Sequence, residues 1–209
     1  MANFNDLNPD TAEHQGWLFL YDNTVVIAGK SAGIKDYCFN DTGTKCQIGD
    51  VGDSKFKAHT VPMLRGKDHV LQKEDFDPKA IVGYMLPAES GDVKLMVTGG
   101  LSGCSFVVQR LPGTNSVLCA HIEPRPGEDN FALGVELQTY LEANAQFQDQ
   151  QRPEPDDDYQ IAVYGAKNYG QGEKATVMGF VDQAGKWRIF GQSYSTNFEV
   201  KKVEEISPL

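Results

Sequence analysis

The chain has 209 residues, a formal net charge of −10 and 40% hydrophobic residues. That is enough apolar material for one sizeable core and too little length for two ordinary domains. The acidity argues against a nucleic-acid backbone or an anionic membrane as direct partner, no apolar run approaches the roughly 18 residues of a membrane span, and four cysteines exclude a disulfide scaffold.

The expectation is a single domain over residues 1–209, acting as a monomer, with any docking made to a basic protein face. The opening MANFNDLNPDTAEHQGW has neither a basic nor an apolar leader region, so residues 1–16 are read as a fraying terminus and not a secretory signal. A protein of this kind would stay in its producer's cytoplasm until lysis or injection carried it into the cytosol of another cell.

WLFLYDNTVVIAG predicts two strands joined by a hairpin at Asp22-Asn23. AGIKDYCF, KFKAHTVPML and KAIVGYML read as further strands, separated by punctuation such as NDTGT and GDVGD. VKLMVT alternates Val93, Leu95 and Val97 against Lys94, Met96 and Thr98, and the apolar runs SFVVQR and SVLCAHI flank the turn LPGTN.

EDNFALGVELQTYLEANAQFQ predicts the main helix, capped by Asp129 or Asn130, with Phe131, Val135, Leu141, Ala145 and Phe147 at helical intervals. QRPEPDDD then reads as a solvated loop. YQIAVYGA, KATVMGFVDQAGKWRIFGQSYS and NFEVKKVEEI return to strands, with a hairpin at Ala184-Gly185. So many strands beside one good helix predict an α+β, strand-rich domain: two packed mixed β-sheets, a sandwich, flanked by one main helix and loops.

The chemistry concentrates in VTGGLSGCSFVVQR and the strand after it. Cys104 opens a strand just after a glycine-bearing turn, and His121 closes the next strand. Side chains on one face of such a pair can touch, and a thiol beside an imidazole can form a thiolate–imidazolium pair, the activated nucleophile of cysteine hydrolases. Leu101, Ser102 and Gly103 would present backbone N–H groups for an oxyanion. The Thr98 hydroxyl would bond one imidazole nitrogen and fix its tautomer. From the residues alone, the favoured reading is the plainer one, with Cys104 a small buried hydrophobe and His121 a hydrogen-bonded strand-end histidine.

TGGLSGC followed by CAHIEP resembles the glutamine deamidases of the Burkholderia lethal factor and cytotoxic necrotizing factor type, and the chemoreceptor glutamine deamidases of bacteria. The resemblance covers about 25 residues, Thr98 to Glu123. It departs from the lethal factor in a longer Cys-to-His connection, filled by LPGTN, and in Gly99 and Gly100 where that toxin has aromatics. It implies a β-sandwich toxin that hydrolyses a protein glutamine without cofactor or metal. Cys104 would be the nucleophile, His121 the base and Thr98 its orienting group. The implied target is a translation-initiation RNA helicase or a Rho GTPase.

Other readings stay open. A cysteine protease or transglutaminase would use the same pair, a β-sandwich binding module would need Cys104 only as structure, and an inhibitor protein would share only the charge. Cys119 is read as buried, as a regulatory disulfide partner of Cys104, or as one corner of a Cys104/Cys119/His121 metal set. Glu123 reads as a supporting group near the site or simply as a turn acid, with the turn favoured, and Trp17 and Trp187 as packing residues. His14, His59 and His69 have no partner at a useful spacing.

Overall fold

The computed structural model describes residues 16–64, 81–89, 91–111, 113–124, 129–147 and 161–206. The predicted fraying terminus up to residue 15, the QRPEPDDD loop, His14 and His69 all lie outside them. Thirteen strands and three short or medium helices are formed by the described residues. None of those helices is long and apolar enough to cross a membrane.

The chain begins with a turn of 3-10 helix (Gly16–Leu18) that runs into helix α1 (Phe19–Asp22). This corrects the predicted first strand and its Asp22-Asn23 hairpin. A short apolar run has no periodicity that separates strand from helix. Here tertiary packing decides, burying Phe19 and Leu20 in a core. Strands β1 (Val25–Ile27), β2 (Gly33–Asp41), β3 (Cys46–Gly49) and β4 (Ser54–Val61) follow. Strand β3 is the one strand among the described residues that sequence reading omitted.

Pro62 divides the predicted strand KFKAHTVPML into β4 and β5 (Met63–Leu64). Next come β6 (Tyr84–Leu86), β7 (Leu95–Thr98), β8 (Ser105–Arg110) and β9 (Val117–Ile122). Helix α2 (Asn130–Asn144), strand β10 (Ile161–Tyr164), the one-turn helix α3 (Ala166–Tyr169) and strands β11 (Lys174–Val181), β12 (Trp187–Tyr194) and β13 (Val200–Glu205) complete the order.

Two mixed sheets result. The larger runs β1-β3-β2-β4-β7-β11-β12-β13, and the smaller runs β10-β8-β9-β5 with β6 also paired to β9. Pairs β1/β3, β4/β7 and β5/β9 are parallel and the others antiparallel. The sheets pack through Met96, Val177, Trp187 and Ile189 of the larger and Phe106, Val108 and Cys119 of the smaller. Trp187 is fully buried there, in line with its expected packing role.

The larger sheet buries its other face too. Leu95, Val97, Met178, Phe180 and Phe190 join Phe19, Leu20, Val25 and Ile27 in a second core. The sheet is therefore rolled, and β1 meets β11 and β12 through side chains: the Thr176 hydroxyl donates to the Val25 carbonyl (2.7 Å), and the Val25 N–H donates to Gln192 Oε1 (2.8 Å). Burial on both faces is why β7 is buried at all four positions, where its alternation predicted two.

Helix α2 covers the outer face of the smaller sheet. The Asp129 carboxylate caps it by accepting from the N–H groups of Phe131 (3.1 Å) and Ala132 (3.0 Å), a contact worth about 1 kcal/mol. Its buried stripe is Gly134, Leu137, Gln138 and Leu141, rotated from the predicted one. The helix lies so close to the turn before β8 that a Cβ on Gly134 would stand 2.4 Å from the Gly103 carbonyl oxygen. A bare Gly134 therefore faces inward, while Phe131 and Val135 are only partly buried.

Candidate active site

Val61 and Thr98 are register partners at the ends of parallel strands β4 and β7. The chain turns at Pro62 into the other sheet, where Met63 pairs with His121. A strand that switches sheets at a bend makes a corner between them. This corner brings residues of both sheets together: the Thr98 hydroxyl donates to the Val61 carbonyl at 2.8 Å and lies 2.8 Å from His121 Nδ1.

Those two contacts fix a proton. A threonine hydroxyl has one hydrogen, and it is committed to Val61, so toward His121 the oxygen must accept. Nδ1 therefore carries the imidazole proton, and Nε2 keeps a lone pair. His121 is fully buried, and Nε2 has no hydrogen-bond partner among the described residues. An orphaned acceptor of this kind costs roughly 1–3 kcal/mol.

Cys104 immediately precedes β8, whose Phe106 pairs with His121. The alternation of side chains puts Cys104, Phe106 and Val108 on the inward face, together with Cys119 and His121. Cys104 and His121 are diagonal neighbours on that face, about 7–8 Å apart at Cα, and no hydrogen bond joins them in this structure, His121 Nε2 having no partner among the described residues.

The turn leading to the thiol is clamped from three sides. Leu101 exchanges both backbone hydrogen bonds with Ala175 of β11, its N–H donating at 2.8 Å. Leu101 is therefore excluded as an oxyanion donor, contrary to the sequence expectation. Gly103 takes φ +86, and its missing Cβ would stand 2.6 Å from the Asn130 carbonyl oxygen. The Tyr169 hydroxyl donates to the Cys104 carbonyl at 3.0 Å.

Tyr169 is held in turn by a polar strut. The Lys167 N–H donates to Gln138 Oε1 (2.8 Å), Gln138 Nε2 donates to Asn168 Oδ1 (2.7 Å), and Asn168 Nδ2 donates to Glu204 Oε1 (2.9 Å). Sequence reading missed Tyr169, which sits on a one-turn helix 65 residues beyond Cys104. It also missed the Val61 carbonyl, whose one local sign is the proline that follows it.

Burial dominates the electrostatics. The Cys104 thiol, 5% exposed, is pushed up to about 11; a hydrogen bond from the Ser102 backbone opposes this and the Glu123 charge adds to it. Burial pushes His121 down to about 4. The resting pair is thus a neutral thiol and a neutral imidazole, and not the thiolate–imidazolium pair expected from the residue types. A Ser102 N–H that already reaches the sulfur is placed to meet negative charge developing beside it.

Cys119 does face the same way as His121, but it pairs with Val108, four residues from Cys104. At about 3.4 Å per residue the two cysteines stand roughly 13 Å apart along the strands, beyond the span of a disulfide. The metal alternative also falls: no group of three His, Cys, Asp or Glu side chains among the described residues converges on a point. His59 does have a partner, its Nδ1 lying 2.9 Å from the Tyr84 hydroxyl.

No known family model matches this chain, and no curated protein sequence does.

Two results are expected from this geometry. Thr98→Val strands the Val61 carbonyl and the His121 N–H, and should cost about 2–4 kcal/mol in chemical denaturation. Thr98→Ser, which restores the hydroxyl, should recover most of it.

The second concerns acid. His121 has a folded-state pKa of about 4 against an ordinary 6.5, so between these values the unfolded chain binds the extra proton. Stability is full above pH 6.5 and declines as pH falls toward 4, by about 3 kcal/mol in all. Burial lowers His59 as well and adds to the same slope. Melting curves from pH 7 to 4 measure the decline, and His121→Gln should flatten most of it.

Proposed function

We propose that this chain is a toxin-like protein-glutamine deamidase working through Cys104, His121 and Thr98. The observation that carries the reading is the hydroxyl relay from Val61 through Thr98 to His121, which leaves Nε2 as a free base on the face shared with Cys104.

Thr98 holds the imidazole. As Cys104 attacks the side-chain carboxamide carbon of a target glutamine, Nε2 takes the thiol proton. Because both groups start neutral, proton transfer accompanies the attack. The Ser102 N–H and the neighbouring Cys104 N–H receive the oxyanion, and Gly103 allows the close approach. The proton on His121 passes to the departing ammonia. Water then attacks the thioester, giving back its proton through His121, so that glutamine and water become glutamate and ammonium with the thiol regenerated.

The net charge of −10 favours a basic target face, which suits an RNA helicase better than a Rho GTPase. In this reading the chain is a monomer that needs no cofactor, made in one cell and acting in the cytosol of another. A transglutaminase or protease would use the same residues but would cross-link or cut its target. The deciding experiment is intact-mass analysis of both target classes after incubation with the protein and with Cys104→Ser. A gain of about one dalton at one glutamine, absent with the variant, supports deamidation.

The near-complete enclosure of Cys104 favours a second reading, a binding module with a structural thiol. In that case Cys104 in the folded protein resists alkylation at neutral pH and no target changes mass.

A further inference from the structure

We propose that Glu123 is a specificity-determining residue of the thiol site, whose carboxylate admits neutral and cationic partners to Cys104 and rejects anionic ones, the glutamate product included. The proposal deepens the deamidase reading and rests on it for the identity of the substrate.

The register supplies the placement. Ser105 pairs with Ile122 at the end of the β8/β9 ladder, so Cys104 and Glu123 each lie one residue beyond that last pair, at the same end of the two strands. Continued one residue past β9, the alternation that turns Cys119 and His121 inward carries Glu123 to the thiol side, and the Glu123 charge acts on the thiol. Its backbone is fixed there, the Glu123 N–H donating to the Leu64 carbonyl at 3.2 Å. Glu123 is half-buried where Cys104 is nearly enclosed, so the acid stands at the rim and the sulfur behind it.

The charge of this carboxylate acts on the thiol and raises the cost of negative charge there. No lysine or arginine among the described residues forms a salt bridge with it. The turn acid of the sequence reading therefore has an electrostatic task. Deamidation turns a neutral carboxamide into a carboxylate of the same sign as Glu123. Repulsion then separates product from substrate at the moment the two first differ. For the same reason, glutamines flanked by lysine or arginine are preferred over those flanked by acids.

The test needs no target protein. Cys104 in the intact chain is alkylated with neutral iodoacetamide and with anionic iodoacetate, and labelling is read by peptide mass. Both reagents react through the thiolate, so the ratio of their rates cancels the thiolate fraction. Relative to Glu123→Gln, the wild type should favour iodoacetamide by a further factor of about 3–10 at low salt, and the excess should shrink in 0.5 M salt, where screening is stronger. Glu123→Asp should keep the preference and Glu123→Lys should invert it. Equal ratios in the wild type and Glu123→Gln overturn the proposal, as does failure of both reagents to label the folded wild type. A shifted ratio with no glutamine converted in any target would leave Glu123 in its role and remove the deamidase reading alone.

Discussion

If the chain is the proposed deamidase, Cys104→Ser is expected to lose glutamine conversion by about four to six orders of magnitude, the usual scale for removing a covalent nucleophile, while keeping its fold. The loss follows from the resting charges. With His121 held neutral and weakly basic by burial, the base has little driving force to spare. In the proposed mechanism it serves a thiol, already pushed up to about 11, only when attack and proton transfer proceed together. A serine hydroxyl is a still weaker acid and a poorer nucleophile, so the same imidazole cannot activate it. The swap is nearly isosteric, and the Tyr169 bond goes to the Cys104 backbone carbonyl and survives it. Ammonia release by wild type and variant, set beside their melting temperatures, separates lost chemistry from lost structure.

Gly103→Ala should be the most damaging small substitution near the site. The residue holds φ +86, a left-handed conformation that costs about 1–2 kcal/mol for a residue with a Cβ. The new methyl would stand 2.6 Å from the Asn130 carbonyl oxygen, and backbone cannot swing aside as a flexible side chain can. Overpacking adds about 1–3 kcal/mol, for a total of about 3 kcal/mol. Relief requires α2 to retreat from the turn, which moves Ser102 and Cys104 together. Gly113→Ala is the control, since φ there is +68 and nothing lies within 4 Å of its Cβ. It should lose only the conformational part and leave activity intact. Chemical denaturation and turnover of both variants give the comparison.

Much of this architecture was legible in local patterns. The two apolar runs around LPGTN, the Asp129 cap and the glycine turn at Ala184-Gly185 each carry their own signal within a few residues, and the strands and helix they announce are present. The relevant faces were readable too, because alternation alone puts Cys119 and His121 on one side. What local pattern could not give was register and contact at long range. The Leu101 N–H looked free for an oxyanion because its partner, Ala175, is 74 residues away. Cys104 and Cys119 looked close enough to bond until the ladder separated them. Glu123 was read as a group near the site or, by preference, a turn acid, because nothing in HIEP tells what lies beside it. Trp17 to Asp22 misled for another reason, since a short apolar run obeys whichever surface needs covering.

The corner at Pro62 makes the imidazole a mechanical sensor of how the two sheets sit. Val61 on one side of the proline receives the Thr98 hydroxyl, and Met63 on the other runs beside His121. Slippage of either sheet by a single residue would flip the side chains there and leave the ring without its proton acceptor. A chain with all its strands formed but its sheets not yet docked would thus hold a cysteine and a histidine and no machine. In the proposed deamidase, the site would therefore be complete only once the two sheets are docked.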